Sequence, residues 1–298
     1  MSSALVIHPG ALGDVLLAVP ALRALRAAGQ SITVAAQPRI GALLVALGVA
    51  EHAVAFDTLG LETLFTDAAL SPTAPLTRHL AEVSRVICWF GARDAHFARR
   101  LRALAPDVIV SPATTTTTAV WKHLLGTVAG AADCTPITVT ADDALAGREA
   151  LRAAGWDGAS RVLVLHPGAG GVAKRWATEG FAAAIEGIAA TVVVHEGPAD
   201  GDAVRSFLAR AHPATLRLAH PSLTTLAGAL SLATAYLGND SGISHLAATV
   251  GTPSVILFTE ATLPWQPWSP TTACVTITTT TLLDSDRTAV TTALKALL

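Results

Sequence analysis

Cysteine is scarce in this 298-residue chain, which contains only Cys88, Cys134 and Cys274. The three lie far apart, without the close spacing of zinc-binding cysteine pairs, and an odd number cannot all pair within one chain. A disulfide-stapled secreted domain is therefore excluded, as is a zinc site built on cysteines. No basic segment followed by a long apolar run opens the sequence, which argues against a secretory signal. We expect a protein that stays in the cytoplasm.

Charge is also scarce, because Asp, Glu, Lys and Arg make up only 14% of the residues and the net charge is −2. Binding to a nucleic-acid backbone needs an excess of basic residues, so that class of protein is not supported. Apolar residues reach 51%, but the uncharged stretches near 218–239 and 241–259 are interrupted by proline, glycine and histidine. They are typical of a buried α/β interior rather than of transmembrane helices.

The chain contains an internal repeat. Ala-Leu-Val-Ile-His-Pro-Gly-Ala at 4–11 returns as Val-Leu-Val-Leu-His-Pro-Gly-Ala at 162–169. In both copies a continuous apolar run, typical of a strand covered on both faces of a parallel sheet, ends in a Pro-Gly turn. Each half therefore opens like a doubly wound fold. Because 298 residues exceed what one core usually organises, we expect two domains, 1–150 and 155–298.

Strands and helices are predicted to alternate along both halves. The predicted strands cover residues 4–7, 31–36, 53–56, 86–89, 108–110, 162–166, 191–195, 215–217, 235–237 and 254–258. The predicted helices include residues 15–28, 92–104, 141–154, 177–189, 202–211, 223–231, 244–250 and 287–298. Two threonine runs, 114–118 and 278–281, fit either surface loops or β-rich edges, and no chemistry is assigned to them.

A glycine-rich turn joins a predicted strand to a predicted helix in the second half. Asp240, Ser241 and Gly242 form this turn, and His245 follows within the helix. The free N–H groups and the positive dipole end of a helix N-terminus bind anions such as a diphosphate. The alternative is that Asp240 or Ser241 only caps the helix.

A second glycine-rich loop, 166–176, follows the first strand of the second half. Its glycines, including Gly168, let the backbone approach a ligand, and Lys174 can neutralise phosphate charge. The loop has neither the Gly-Lys-Ser/Thr ending of a Walker A motif nor the Gly-x-Gly-x-x-Gly spacing of dinucleotide-binding proteins. The alternative for Lys174 is an ordinary exposed lysine.

The matching loop of the first half reads Pro-Gly-Ala-Leu-Gly-Asp at 9–14, and it contains Gly10 and Gly13. Asp14 lies where a helix begins. Its carboxylate either favours the helix N-terminus electrostatically or acts as a general base toward a substrate. Spacing alone leaves both roles open.

These three motifs, in this order, resemble glycosyltransferase family 9, the ADP-heptose:lipopolysaccharide heptosyltransferases. The resemblance implies the α/β fold called GT-B, in which two Rossmann-like doubly wound domains face each other across a cleft. It implies that domain 1–150 binds the acceptor and that domain 155–298 binds the nucleotide-sugar donor. The implied reaction is an inverting, metal-independent transfer of a heptose or similar sugar from an ADP-sugar to a lipopolysaccharide-core or other glycan acceptor.

The resemblance also implies roles for single residues. Asp14 is the implied base that takes the proton of the acceptor hydroxyl, and Lys174 stabilises the departing diphosphate. The implied donor-binding set is Gly168, Lys174, Asp240, Ser241, Gly242 and His245, while Gly10 and Gly13 belong to the acceptor-side loop. No cofactor and no metal are implied, because the nucleotide-sugar is itself a substrate. A glycolipid acceptor implies peripheral contact with the inner membrane surface.

One loop departs from the family pattern. Family members commonly have Gly-Pro-Thr-Asp-Pro after the strand at 254–258, where this chain has Thr-Glu-Ala-Thr-Leu-Pro at 259–264. That loop lies near the donor in the family, so a transferase or epimerase using another nucleotide-sugar is an open alternative. A non-catalytic sugar-nucleotide-binding protein is another, although such a protein would not need both Asp14 and Lys174.

A basic segment follows Gly91 in the first half. Its four arginines either form a solvated face or contact anionic phosphates of a lipid-linked acceptor at a membrane surface. They are Arg93, Arg99, Arg100 and Arg102.

Overall fold

Two parallel β-sheets organise the chain in the computed structural model, which describes residues 2–278 and 282–298. The first sheet, in the order β3-β2-β1-β4-β5, contains β1 (Ser2–Ile7), β2 (Gln30–Ala36), β3 (His52–Ala55), β4 (Arg85–Cys88) and β5 (Val108–Val110). The second, in the order β11-β10-β9-β6-β7-β8, contains β6 (Val162–His166), β7 (Thr191–Glu196), β8 (Leu216–Ala219), β9 (Ala235–Asn239), β10 (Ser254–Phe258) and β11 (Thr272–Thr276). The second order is the doubly wound Rossmann order, and the first follows it over five strands.

The ten predicted strands are confirmed, with small shifts at their ends. The sequence does not predict β11, because this strand lies at the edge of its sheet and its residues are only partly buried or exposed. A threonine-rich edge strand lacks the continuous apolar run that marks the central strands. The run at 114–118 is a loop, and the run at 278–281 lies outside the described residues except for Thr278.

Twelve α-helices are described along the chain. They are α1 (Leu12–Leu16), α2 (Val19–Ala27), α3 (Pro38–Ala46), α4 (Pro75–Glu82), α5 (Ala95–Arg102), α6 (Val120–Val128), α7 (Ala141–Ala153), α8 (Thr178–Ala184), α9 (Gly201–Leu208), α10 (Leu223–Leu232), α11 (Gly242–Thr249) and α12 (Asp284–Lys295). No helix within 2–278 and 282–298 is long and apolar enough to cross a membrane.

Two helices, α1 and α2, replace the single helix predicted over residues 15–28. Pro20 lies in the first turn of α2. Proline has no backbone N–H to donate to the carbonyl four residues earlier, and its ring collides with that carbonyl. The helix therefore stops at Leu16 and restarts at Val19, so that α1 is a short helix of its own directly after the first loop.

The chain divides into the units Met1–Asp133 and Cys134–Leu298, so helix α7 belongs with the second sheet. The predicted domains, 1–150 and 155–298, place this helix in the first half instead. Helix α7 packs against α10 at very short range, because a Cβ on Gly147 would lie 2.2 Å from the backbone nitrogen of Ala229. A Cβ on Gly228 would likewise lie 1.8 Å from the backbone oxygen of Asp143. This glycine-lined contact is formed by tertiary packing and leaves no periodic signal.

Each unit has its own apolar core. In the first, Leu5 and Ile7 of β1 pack with Phe97 of α5. In the second, Leu163 and Leu165 of β6 belong to a cluster that also holds side chains of α8, α9 and α12. The two central strands are therefore anchored along their length, and the loops at their carboxyl ends are held in place.

Candidate functional site

The predicted donor motifs of the second unit follow two strands that lie side by side. Strand β6 pairs in parallel with β9, and His166 faces Gly238, although 72 residues separate the two in the sequence. The chain order reverses between these strands, since β7 follows β6 on one side and β10 follows β9 on the other. Ligands of doubly wound proteins bind outside the carboxyl ends of the strands at such a switch point. The loop with Lys174 and the turn with Asp240 therefore meet where a ligand is expected.

Asn239 connects these two segments. Its Oδ1 accepts a hydrogen bond from the backbone N–H of Trp176 at 3.0 Å, and its Nδ2 donates to the carbonyl oxygen of Pro167 at 2.9 Å. The side chain is fully buried. The sequence analysis does not single out Asn239 as a site residue, although it directly precedes the predicted turn that begins at Asp240. The signal that could have identified it is an amide side chain between an apolar strand and a glycine-containing turn. An amide buried at such a position needs hydrogen-bond partners.

Asn239→Ala is expected to lower the free energy of unfolding by about 2–4 kcal/mol, because a backbone N–H and a carbonyl would stay buried without partners. Urea denaturation measures this loss. Gln266→Ala, which removes an exposed amide from the same unit, is the control and should remain close to wild type. Equal stability of the two variants would contradict the connecting role of Asn239.

Asp240 holds two basic side chains. Its Oδ2 lies 2.7 Å from Nζ of Lys174, and its Oδ1 lies 3.7 Å from Nε2 of His245. Burial raises the pKa of the Asp240 carboxyl, but the neighbouring His245 and Lys174 lower it more, so the pKa lies below its ordinary value. The carboxylate is 5% exposed, whereas the Lys174 side chain is 39% exposed. Asp240 therefore stays ionised and positions an ammonium group that remains accessible to a ligand.

Ser241 and Gly242 form the start of α11. The Ser241 hydroxyl caps the helix by accepting a hydrogen bond from the N–H of Ser244 at 3.3 Å. The capping role considered for Ser241 is thus present, and Asp240 instead binds Lys174. Asp240 binds the Lys174 ammonium and precedes the positive dipole end of α11 by two residues. The ammonium and the helix N-terminus are both groups that bind anions.

Gly168 is required by close packing. A Cβ at this position would lie 2.0 Å from Oδ1 of Asp200 and 2.9 Å from Cε1 of His166. Such distances leave no room for any other residue without rearrangement. The loop therefore runs directly over these two side chains.

The His-Pro-Gly-Ala turn that follows β6 also occurs in the first unit, at the carboxyl end of β1. The N–H of Gly10 donates to Nδ1 of His8 at 3.2 Å, and a Cβ on Gly10 would lie 2.7 Å from Cε1 of His8. Gly13 and Asp14 lie in the first turn of α1, whose N-cap residue, Ala11, offers no side-chain acceptor. The Asp14 carboxylate is thus the acidic group of that turn, where the helix dipole favours negative charge.

Burial lowers the pKa of His8 from 6.5 to about 4, against the opposing charge of Asp14. Between these pH values the unfolded chain binds a proton at this residue and the folded chain does not. Stability is therefore lost as the pH falls, by about 3 kcal/mol from His8 over the whole interval. Urea denaturation at several pH values should show a shallower pH dependence for His8→Gln than for wild type. An unchanged slope would contradict this assignment.

A cavity of about 360 Å³ lies in the first unit beyond β4, the strand that pairs with β1. Phe65, Trp89, Phe90 and Arg93 are among the residues that line it. The Trp89 ring packs edge-on against His8, with ring centroids 5.6 Å apart. Trp89 therefore contacts both this cavity and His8, which precedes the loop that carries Asp14. The cavity combines aromatic surface with one exposed arginine.

The basic segment begins beside this cavity and continues into α5. Arg93, Arg99 and Arg102 are exposed, whereas Arg100 donates to the carbonyl of Ala68. The outward-facing arrangement predicted for these side chains therefore holds for three of the four.

The predicted residues fall into two groups. The second unit brings together Gly168, Lys174, Asp240, Ser241, Gly242 and His245. The first unit holds Gly10, Gly13 and Asp14 in one loop and its following helix.

One family model and several solved structures are similar to this chain. The family model for glycosyltransferase family 9 (heptosyltransferase) matches residues 87–293. Comparison with curated protein sequences gives no match. The chain is similar in structure to the family 9 glycosyl transferase of Veillonella parvula DSM 2008, with a TM-score of 0.79, 16% identity and coverage of 99% of this chain and 97% of that chain.

Two structures from E. coli are also similar. ADP-heptose lps heptosyltransferase II has a TM-score of 0.75 and 20% identity, with coverage of 100% of this chain and 98% of that chain. Heptosyltransferase WaaC with ADP has a TM-score of 0.68 and 14% identity, with coverage of 99% of this chain and 100% of that chain. These similarities confirm the predicted GT-B fold with its two Rossmann-like domains.

Proposed function

The chain belongs to glycosyltransferase family 9, the heptosyltransferase family, and from this premise we propose that it transfers a heptose or a similar sugar from an ADP-sugar to a lipopolysaccharide-core or other glycan acceptor. The second unit binds the donor and the first unit binds the acceptor. The observation that carries the proposal is the Lys174 ammonium held 2.7 Å from the buried Asp240 carboxylate, beside the amino end of α11.

The donor diphosphate is recognised by Lys174 and by the N–H groups at the start of α11. Both are positioned before the donor arrives, because Asp240 orients the ammonium and Ser241 caps the helix. Preorganised positive groups stabilise the charge that develops on a departing diphosphate. They supply what a divalent ion would otherwise supply, so the transfer needs no metal at the diphosphate.

Asp14 acts on the acceptor. The acceptor hydroxyl transfers its proton to the Asp14 carboxylate as its oxygen forms a bond to the anomeric carbon of the donor. The bond between that carbon and the diphosphate oxygen breaks, and ADP leaves with the electron pair. Attack opposite to the leaving group inverts the anomeric configuration. The cavity lined by Trp89, Phe90 and Arg93 accommodates part of the acceptor.

A glycolipid acceptor would bring the enzyme to the cytoplasmic face of the inner membrane. The exposed side chains of Arg93, Arg99 and Arg102 support such peripheral contact, since anionic surfaces attract basic segments. Binding to vesicles with and without anionic lipid tests this part of the proposal.

Calorimetric titration of the full chain with ADP, UDP, GDP and CMP, with and without EDTA, tests the donor assignment. We expect selective binding of ADP that EDTA does not change. Preference for UDP or GDP would assign another nucleotide-sugar, in keeping with the unusual segment at 259–264. Binding of none of the four would favour a non-catalytic protein of the same fold.

A further inference from the structure

Two histidines and an aspartate form a buried cluster beneath the donor loop. His166 ends β6 and His195 lies near the end of β7, one position beyond the paired residues Leu165 and Val194. Neighbouring positions of paired strands place both rings on the same face of the sheet. The Nδ1 atoms of the two rings are 3.2 Å apart, and Oδ2 of Asp200 lies 3.9 Å from Nε2 of His166.

The three residues offer one ligand atom each within 4.8 Å of one another. Both histidines are 2% exposed and Asp200 is 9% exposed. A buried carboxylate needs a counter-charge or several hydrogen-bond donors. Asp200 accepts a hydrogen bond from the N–H of Gly197 at 3.0 Å, and the imidazole of His166 lies 3.9 Å from its carboxylate.

The orientation of Asp200 is unusual for its position. Asp200 is the N-cap residue of α9, where an aspartate ordinarily accepts a hydrogen bond from the first turn of the helix. Its side chain makes no such bond. The carboxylate instead packs between Gly168 and Gly197, whose added Cβ atoms would lie 2.0 Å and 2.8 Å from its oxygens. The two glycines thus leave space for the Asp200 carboxylate beside the histidines.

We propose that His166, His195 and Asp200 bind a divalent transition-metal ion, with Zn²⁺ as the favoured ion. Two imidazole nitrogens and a carboxylate oxygen are a donor set that zinc commonly uses. Zinc bonds of about 2.0–2.2 Å place two tetrahedral ligand atoms roughly 3.3 Å apart. The ligand atoms of the three residues, which lie within 4.8 Å of one another, reach that spacing by a small inward movement. Binding draws the carboxylate inward, and water fills the fourth position.

The metal site differs from the donor site in its residues and in its role. Its ligands connect β6, β7 and the start of α9, and the carboxylate lies against Gly168. A bound ion would therefore stabilise the second unit and hold the loop that precedes Lys174. This inference does not depend on the identity of the donor, because no group assigned to the diphosphate is a ligand.

Metal binding is tested on the full chain after removal of any affinity tag and dialysis against a chelator. Equilibrium dialysis with Zn²⁺ should give one ion per chain, and zinc should raise the Tm. Titration with Co²⁺ should produce the visible absorption of a tetrahedral site, and Zn²⁺ should displace it. The absence of stoichiometric binding, of a Tm shift and of this absorption in the wild-type protein would overturn the proposal.

Variants locate the site. Asp200→Asn keeps an acceptor for the Gly197 N–H but removes the charge, and His195→Gln removes a ligand. Each should lower zinc affinity by at least about tenfold. His220→Asn is the matched control, since His220 is exposed in the same unit and has a positive φ that asparagine tolerates. Equal zinc binding by all three variants would place the ion elsewhere and refute the site. The wild-type cobalt spectrum decides the question even if a variant fails to fold.

Discussion

Asp14→Asn is expected to lower the rate of sugar transfer by about 10²–10⁴-fold, the usual contribution of a general base. The amide has almost the same shape as the carboxylate but cannot accept the proton of the acceptor hydroxyl. Affinity for ADP should be unchanged, because Asp14 lies in the first unit and the groups assigned to the diphosphate lie in the second. Steady-state kinetics and calorimetry on the same preparation measure the two effects.

The control is Asp67→Asn. Asp67 also belongs to the first unit, and its side chain is 95% exposed. This variant should retain the wild-type rate of transfer. That result would show that removing a carboxylate elsewhere in the first unit does not reduce activity. Near-normal turnover of Asp14→Asn would reject the base assignment and leave Asp14 with its electrostatic role at the start of α1.

Lys174→Met is expected to raise the Kd for ADP by about 10–100-fold, which corresponds to the loss of a charged hydrogen bond worth about 1.5–3 kcal/mol. Turnover should fall as well, because the departing diphosphate gains charge in the transition state. Methionine keeps the aliphatic stem and removes the ammonium. Lys295→Met, which removes an exposed lysine from α12 of the same unit, should have no effect.

A double-mutant comparison separates two possible roles of Lys174. If its ammonium contacts the diphosphate, Lys174→Met should weaken ADP binding in an Asp240→Asn background as well. If Lys174 serves only as the counter-ion of Asp240, the double variant should bind ADP as Asp240→Asn does alone. The second result would contradict the phosphate role. Urea denaturation of all three proteins shows whether an unpaired Asp240 also destabilises the fold.

The elements that depend on local pattern could be read from the amino-acid sequence. Central strands such as β1 and β6 are continuous apolar runs because both faces of a parallel sheet are covered. The glycine-rich loops and the start of α11 are equally local, since turn geometry and helix capping involve residues a few positions apart. The two-domain α/β fold and the loops that carry Asp14, Lys174 and Asp240 could therefore be predicted.

Which of these elements contact one another became clear from the folded chain. The pairing of β6 with β9, the ion pair between Lys174 and Asp240, and the Asn239 connection to Trp176 join residues more than 60 positions apart. Because α7 is in close contact with α10, the second unit begins at Cys134 and not at the predicted residue 155. The edge strand β11 depends on its pairing with β10. Such contacts form because buried polar groups and apolar faces need partners, and a partner distant in the chain leaves no periodic pattern in the sequence.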